Sequence, residues 1–231
     1  VSPICATRNP ENIEKNGNDR VRLNMLSKFF DTDSSNIVEY DTNASIYRLS
    51  YALGNSTLAT HNMDIYKLIY DKCKFNLEWT GDLRDHFKFL LMPIYMLERS
   101  VEYRCAEYNK KDSWKFFISK DMEKEHLFYK YFVDAFKLDL RTILNTVKTA
   151  MHEVFNMDKF YQADIFIHES NLHIIMLQLF KEMNIKTINV YDGFYFVNDT
   201  MNQDLYNTIY DKATNMLLEH YKVKEEGILA A

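Results

Sequence analysis

Two aspartates stand in β-rich runs. Residues 37–41, Ile-Val-Glu-Tyr-Asp, close on Asp41, and residues 187–197 carry Asp192 near their centre. Carboxylates at strand ends can converge on a divalent cation. Mg²⁺ takes oxygen ligands and keeps several waters, with phosphates completing its shell. Two such ions clamp the attacking and leaving oxygens of a phosphoryl displacement. Glu39 lies two residues before Asp41 on the same strand face. It is read either as a further ligand or as an acid that faces solvent or pairs with a cation. Plainer readings stand beside these: Asp41 or Ser45 can cap the helix after the strand, and Asp192-Gly193 is good type I′ turn chemistry.

Arg84 and Lys88 are spaced i, i+4 and share one face of a helix. The arginine offers a planar fork and the lysine a point charge, a pair suited to gripping a triphosphate and to protonating a leaving pyrophosphate. The alternative is a solvated basic face. His168 and His173 are five residues apart, too far for a helical zinc pair, which needs three or four. The run Phe128-Tyr129-Lys130-Tyr131-Phe132 can stack bases but reads more readily as core or interface. Met25, Met92, Met96, Met151, Met176 and Met183 read as core gap-fillers.

The elements that must position these residues are set by periodicity. Helical spacing spans 20–30, 44–54 with Gly54 as C-cap, 63–74 with Asp64 in the first turn, and 82–105 with a kink or break at Pro93. It continues over 123–155, as two helices or one bent one, and over 163–184 and 201–222. Residues 187–197 change to a β period with Asp-Gly at the centre of a hairpin. Residues 1–20 are polar and read as a loop or extended arm. With no repeat, low-complexity tract or linker, the chain reads as one compact unit.

Composition narrows the class. The 231 residues are 47% hydrophobic with only 5 Gly and 3 Pro, which suits a folded helix-rich core and disfavours sandwiches and propellers. The net charge of −5 disfavours a protein that binds nucleic acid only through a strongly basic surface, though not a local basic groove. Three widely spaced cysteines form no CxxC pair, so reduced thiols in a cytoplasmic protein are expected. No run approaches the length of a membrane span.

Taken in order, these motifs resemble the palm-and-fingers region of single-subunit phage-type RNA polymerases and family A DNA polymerases, over roughly residues 37–222. Asp41 to Arg48 is similar to motif A, and Met63-Asp64-Ile65-Tyr66 to the Asp-Ile-Tyr/His that comes after it. Arg84, Lys88 and Tyr95 are similar to motif B, Tyr191-Asp192-Gly193-Phe194 to motif C, and Phe166 to Ser170 to the segment whose histidine lies near the incoming sugar. Tyr95 follows Lys88 by seven residues where the family has eight, with Pro93 between them. Gly193 and Ile46 replace two family A glutamates, which inclines the resemblance toward RNA polymerases.

The resemblance implies an α+β, helix-rich fold with a palm-like small antiparallel sheet and fingers helices. It divides the chain into an N-terminal arm (1–36), a first palm part (37–80), a fingers-like helical region (81–160), and a second palm part with a C-terminal helix (161–231). It implies template-directed nucleotidyl transfer on a DNA template with nucleoside triphosphates and two Mg²⁺ or Mn²⁺ ions. Asp41 and Asp192 would hold the metals. Arg84, Lys88, Tyr95, His168 and Arg48 would bind nucleotide or primer, with Lys88 also catalytic. Further polymerase domains or subunits are expected partners. The alternatives are a family A-like DNA polymerase, a catalytically silent palm that binds nucleic acid or assembles with other subunits, and an unrelated helical interaction protein.

Overall fold

The computed structural model describes residues 5–8, 17–42, 44–60, 62–96, 100–109, 120–159, 164–190 and 193–229. In chain order the elements are β1 (Cys5–Arg8), α1 (Gly17–Phe30), β2 (Ile37–Thr42), α2 (Ser45–Asn55), α3 (Ile65–Cys73), α4 (Gly81–Met96) and α5 (Ser100–Asn109). They continue as α6 (Lys120–Phe136), α7 (Leu140–Phe155), α8 (Ile165–Glu182), β3 (Ile188–Val190), β4 (Gly193–Val197) and α9 (Gln203–Leu229). The helix-rich α+β expectation holds, and among the described residues no helix is long and apolar enough to cross a membrane.

The expected single unit is corrected to two. One comprises residues 1–63 and 164–231, the other residues 64–163. The first is therefore discontinuous in sequence, with the second inserted between α2 and α8.

The discontinuous unit is built on a four-stranded antiparallel sheet of order β1-β2-β4-β3. Part of the arm expected at residues 1–20 is thus an edge strand, with Cys5 opposite Thr42 and Arg8 opposite Glu39. β2 is nearly continuously buried because apolar groups cover it on both sides. On one face, Tyr40 stacks on Tyr206 of α9 with ring centroids 5.3 Å apart, and Phe180 of α8 meets Phe194 and Phe196 at 5.5 and 5.0 Å. On the other, Ile37 and Tyr195 pack with Leu26 and Phe30 of α1.

The inserted unit holds α3 to α7. Its core gathers aromatic rings: Tyr70 lies near Phe75, Trp79 and Phe87, and Phe75 and Phe132 both stack on Phe136. Phe132 and Tyr129 are core here, while Tyr131 stays part-exposed and stacks on His86 at 4.5 Å; the side chain of Phe128 lies outside the described residues. Met151 and Met176 are buried as expected, but Met25 and Met183 are exposed. Burial alone pushes the Cys73 thiol up to about 12, so it stays protonated at neutral pH.

The two-helix alternative for 123–155 holds, and the end expected at Gly54 shifts. The 123–155 stretch divides into α6 and α7, separated by Lys137 at φ 56° and by Asp139, whose carboxylate accepts from the Thr142 amide at 3.0 Å. α4 runs through Pro93 to Met96. α2 passes Gly54 and ends on Ser56, which adopts the left-handed conformation. A chain with few glycines thus closes helices on residues that carry a Cβ, including Ser56, Lys74 and Asn156. Each such residue stores roughly 1–2 kcal/mol that glycine would not. Lys74, at φ 56°, is exposed and ends α3. Lys74→Gly is expected to stabilise the fold by about 0.5–1 kcal/mol after its own backbone entropy is subtracted, read as a higher urea midpoint at unchanged m-value.

Candidate functional site

Asp41 lies inside β2, where its Cα partners are Ala6 on one side and Gly193 on the other. It therefore does not cap α2, whose N-cap is Ala44. The pairing with Gly193 brings Asp41 to the end of β4 that residues 191–192 precede in sequence. Asp192 and Tyr191 themselves lie outside the described residues. The hairpin's centre moves by one position from the expected Asp-Gly turn. Val190 pairs with Gly193, so Gly193 opens β4 and residues 191–192 connect the strands.

Gly193 has a different reason to be glycine. Its φ is not positive, but a Cβ built on it would stand 2.6 Å from Oε1 of Glu39. Glu39, opposite Tyr195, is 5% exposed, which corrects the expectation of a solvent-facing acid. The Tyr195 hydroxyl accepts from Arg22 Nη1 at 2.9 Å. Burial raises the Tyr195 hydroxyl above its ordinary range, with Arg22 opposing. Neither Arg22 nor the Glu39–Gly193 contact is signalled by the sequence pattern. The small residue after Asp192 is the one available signal, and it also fits a turn.

The start of α2 is unusual. Ala44 holds φ 60° and makes no side-chain cap hydrogen bond to the helix. Ser45, the other expected cap, is the first helical residue, and its buried Oγ has no hydrogen-bond partner among the described residues. Such an end presents amides and a positive dipole terminus to an anion. It comes three residues after Asp41.

Arg48 is 2% exposed. It donates from Nη1 to the carbonyls of Ala59 and Thr60 at 3.2 and 3.0 Å, and from Nη2 to that of Met63 at 2.8 Å. In place of the expected primer or triphosphate contact, it clamps the segment after α2. His168 lies on α8, hydrogen-bonded through Nδ1 to the Tyr221 hydroxyl, with the two rings edge to face at 4.8 Å. Burial holds its pKa below the ordinary value, against a raising influence from Asp164.

In the inserted unit, Arg84 and Lys88 occupy successive turns of α4, as the spacing predicts. Lys88 is exposed, while Arg84 is largely covered. The Arg84 guanidinium pairs through Nε with Asp64 Oδ2 at 3.2 Å and lies 4.8 Å from the centroid of the Tyr66 ring. Asp64 also caps α3, accepting from the amides of Tyr66 and Lys67. Tyr95 is 1% exposed and packs edge-on against Phe155, so it serves the core of this unit and not an open nucleotide surface.

Among the described residues, no group of three or more His, Cys, Asp or Glu forms a metal cluster, and Asp192 stands outside that set. A half-exposed carboxylate at a sheet end, with a helix start just beyond it, is donor chemistry that suits a hard cation carrying phosphates. Comparison with protein-family models, curated proteins and solved structures gives no match.

Two outcomes are expected from these placements. Arg48→Met leaves three carbonyls without their charged donor and is expected to cost about 3 kcal/mol in urea unfolding. His168 has a folded pKa below its unfolded value near 6.5, so the unfolded chain binds more protons in that interval. Its contribution is full above pH 6.5 and is lost as pH falls through the folded value. Melting temperatures recorded from pH 7.5 to 5 should therefore fall less steeply in His168→Gln than in the parent protein.

Proposed function

We propose that this protein is a template-directed nucleotidyltransferase that uses divalent metal, with RNA synthesis preferred over DNA synthesis. One observation carries the reading: Asp41 is paired across the sheet with Gly193, so the strand bearing one nominated metal ligand adjoins the residue next after the other. The start of α2, just after Asp41, would add helix-terminal amides and a positive dipole end suited to a triphosphate. The sequence order also agrees, since the sheet is assembled from both sides of an inserted helical unit that carries Arg84 and Lys88.

Asp41 and Asp192 are the metal ligands in this reading. Bound Mg²⁺ would lower the pKa of a 3′-hydroxyl and offset charge on the departing pyrophosphate. The start of α2 would orient the triphosphate, Lys88 would neutralise and protonate the leaving group, and His168 would lie near the sugar. Arg84 reaches a triphosphate only by exchanging Asp64 for it. DNA template, nucleoside triphosphates, further polymerase subunits and a cytoplasmic setting belong to the same proposal.

A second reading is favoured by the engagement of three nominated nucleotide contacts. Arg48 and Tyr95 are buried and Arg84 is paired with Asp64, which suits a silent palm that binds nucleic acid or assembles with other subunits. Primer extension separates the two. A labelled primer on a DNA template, with Mg²⁺ or Mn²⁺ and NTPs or dNTPs supplied separately, should be extended by the protein, with a loss of at least about 10³-fold in Asp41→Asn. Template binding without extension in both proteins would establish the silent reading.

A further inference from the structure

Asp64 divides its carboxylate oxygens between separate tasks. Oδ1 accepts from the amides of Tyr66 and Lys67 at 3.1 and 3.3 Å and so starts α3. Oδ2 accepts from Arg84 Nε of α4 at 3.2 Å. The Arg84 guanidinium also lies 4.8 Å from the centroid of the Tyr66 ring. The side chains of Arg84 and Asp64 are 18% and 21% exposed, so the pair is covered but not sealed from water.

The pair is made through a single nitrogen. Among the described residues, Nη1 and Nη2 of Arg84 make no hydrogen bond, and Nη1 has only the exposed carboxylate of Asp85 near it, at 3.7 Å. The bidentate fork that makes an arginine–carboxylate pair hard to displace is absent. Lys88, one turn further along α4, is exposed and makes no ion pair among the described residues. The two cations are therefore unequal. Lys88 is open to an anion, whereas Arg84 is held by Asp64. Because Oδ1 alone accepts the two amides of the cap, release of Arg84 from Oδ2 leaves the start of α3 in place.

We propose that Asp64 is an autoinhibitory latch on a triphosphate-binding site: its Oδ2 competes with the triphosphate for Arg84, while Lys88 stays available. This rests on the reading of Arg84 and Lys88 as the triphosphate grip. A triphosphate meets Lys88 first and gains Arg84 only in molecules where the latch has opened. Its apparent affinity is lowered by that open fraction.

The test is calorimetric titration of the full chain with inorganic tripolyphosphate at fixed ionic strength, with circular dichroism confirming the fold. Asp64→Asn keeps a capping oxygen and removes the charge. It should tighten binding by at least about threefold. Asp85→Asn removes the other acid near Arg84 and should stay within about 1.5-fold of the parent. Adding Arg84→Gln to Asp64→Asn should abolish the gain, and Lys88→Gln should weaken binding by at least about threefold. Asp64→Asn binding no tighter than Asp85→Asn overturns the latch. A gain that survives Arg84→Gln overturns it too, since the effect is then general charge removal. Should Asp64→Asn not fold, Asp64→Ser, which also offers a capping oxygen, decides. Failure of both to fold overturns the latch by making the ion pair structural. Lys88→Gln and Arg84→Gln both binding as the parent does, or no binding by parent and Asp64→Asn alike, removes the triphosphate grip itself, and the latch with it.

Discussion

The pairing of β2 with β4 is the constraint on which the discontinuous unit depends. The two strands come from opposite sides of an inserted helical unit, and their register sets which residues share a face. Because strand side chains alternate, a slip of β2 by one residue would send Tyr40 away from α8 and α9 and turn Glu39 and Asp41 into that aromatic layer. The aromatic contacts on one face and the Leu26–Phe30–Ile37–Tyr195 cluster on the other both enforce the observed register. Asp41 stands opposite Gly193 because the apolar residues around it leave no alternative.

The elements are largely legible in the sequence because their signals are local. The Ile-Val-Glu-Tyr-Asp run is β2, Asp64 caps α3 where an acid in the first turn is expected, and the change to a two-residue period after Lys186 is the β3–β4 hairpin. Boundaries fail where the chain uses residues without a propensity signature. Nothing in Lys74 or Lys137 announces a left-handed backbone, and Ala44 is a poor residue for a helix N-cap on any scale. Insertion of the helical unit is invisible to local patterning, since no linker marks its ends.

The candidate site is legible in part, and its gaps share one cause. Residue type and spacing identify what a side chain can do, whereas tertiary neighbours decide what it does. Arg48 has the charge to meet a phosphate, but the carbonyls of Ala59, Thr60 and Met63 occupy it. Tyr95 has a ring suited to stacking, but Phe155 takes it into the core. Glu39 reads as a ligand or a solvent-facing acid because its neighbours Tyr195 and Gly193 are remote in sequence.

The discontinuity has a consequence during synthesis. Residues 64–163 leave the ribosome as one contiguous stretch and can complete their aromatic core before α8 and the hairpin exist. β2 emerges earlier yet cannot find β4 until the inserted unit, α8 and the hairpin have been made. Throughout that interval its ladder groups on the β4 side and the face that α8 and α9 cover have no native partner, which makes Ile37–Thr42 a stretch of the nascent chain suited to a holding chaperone.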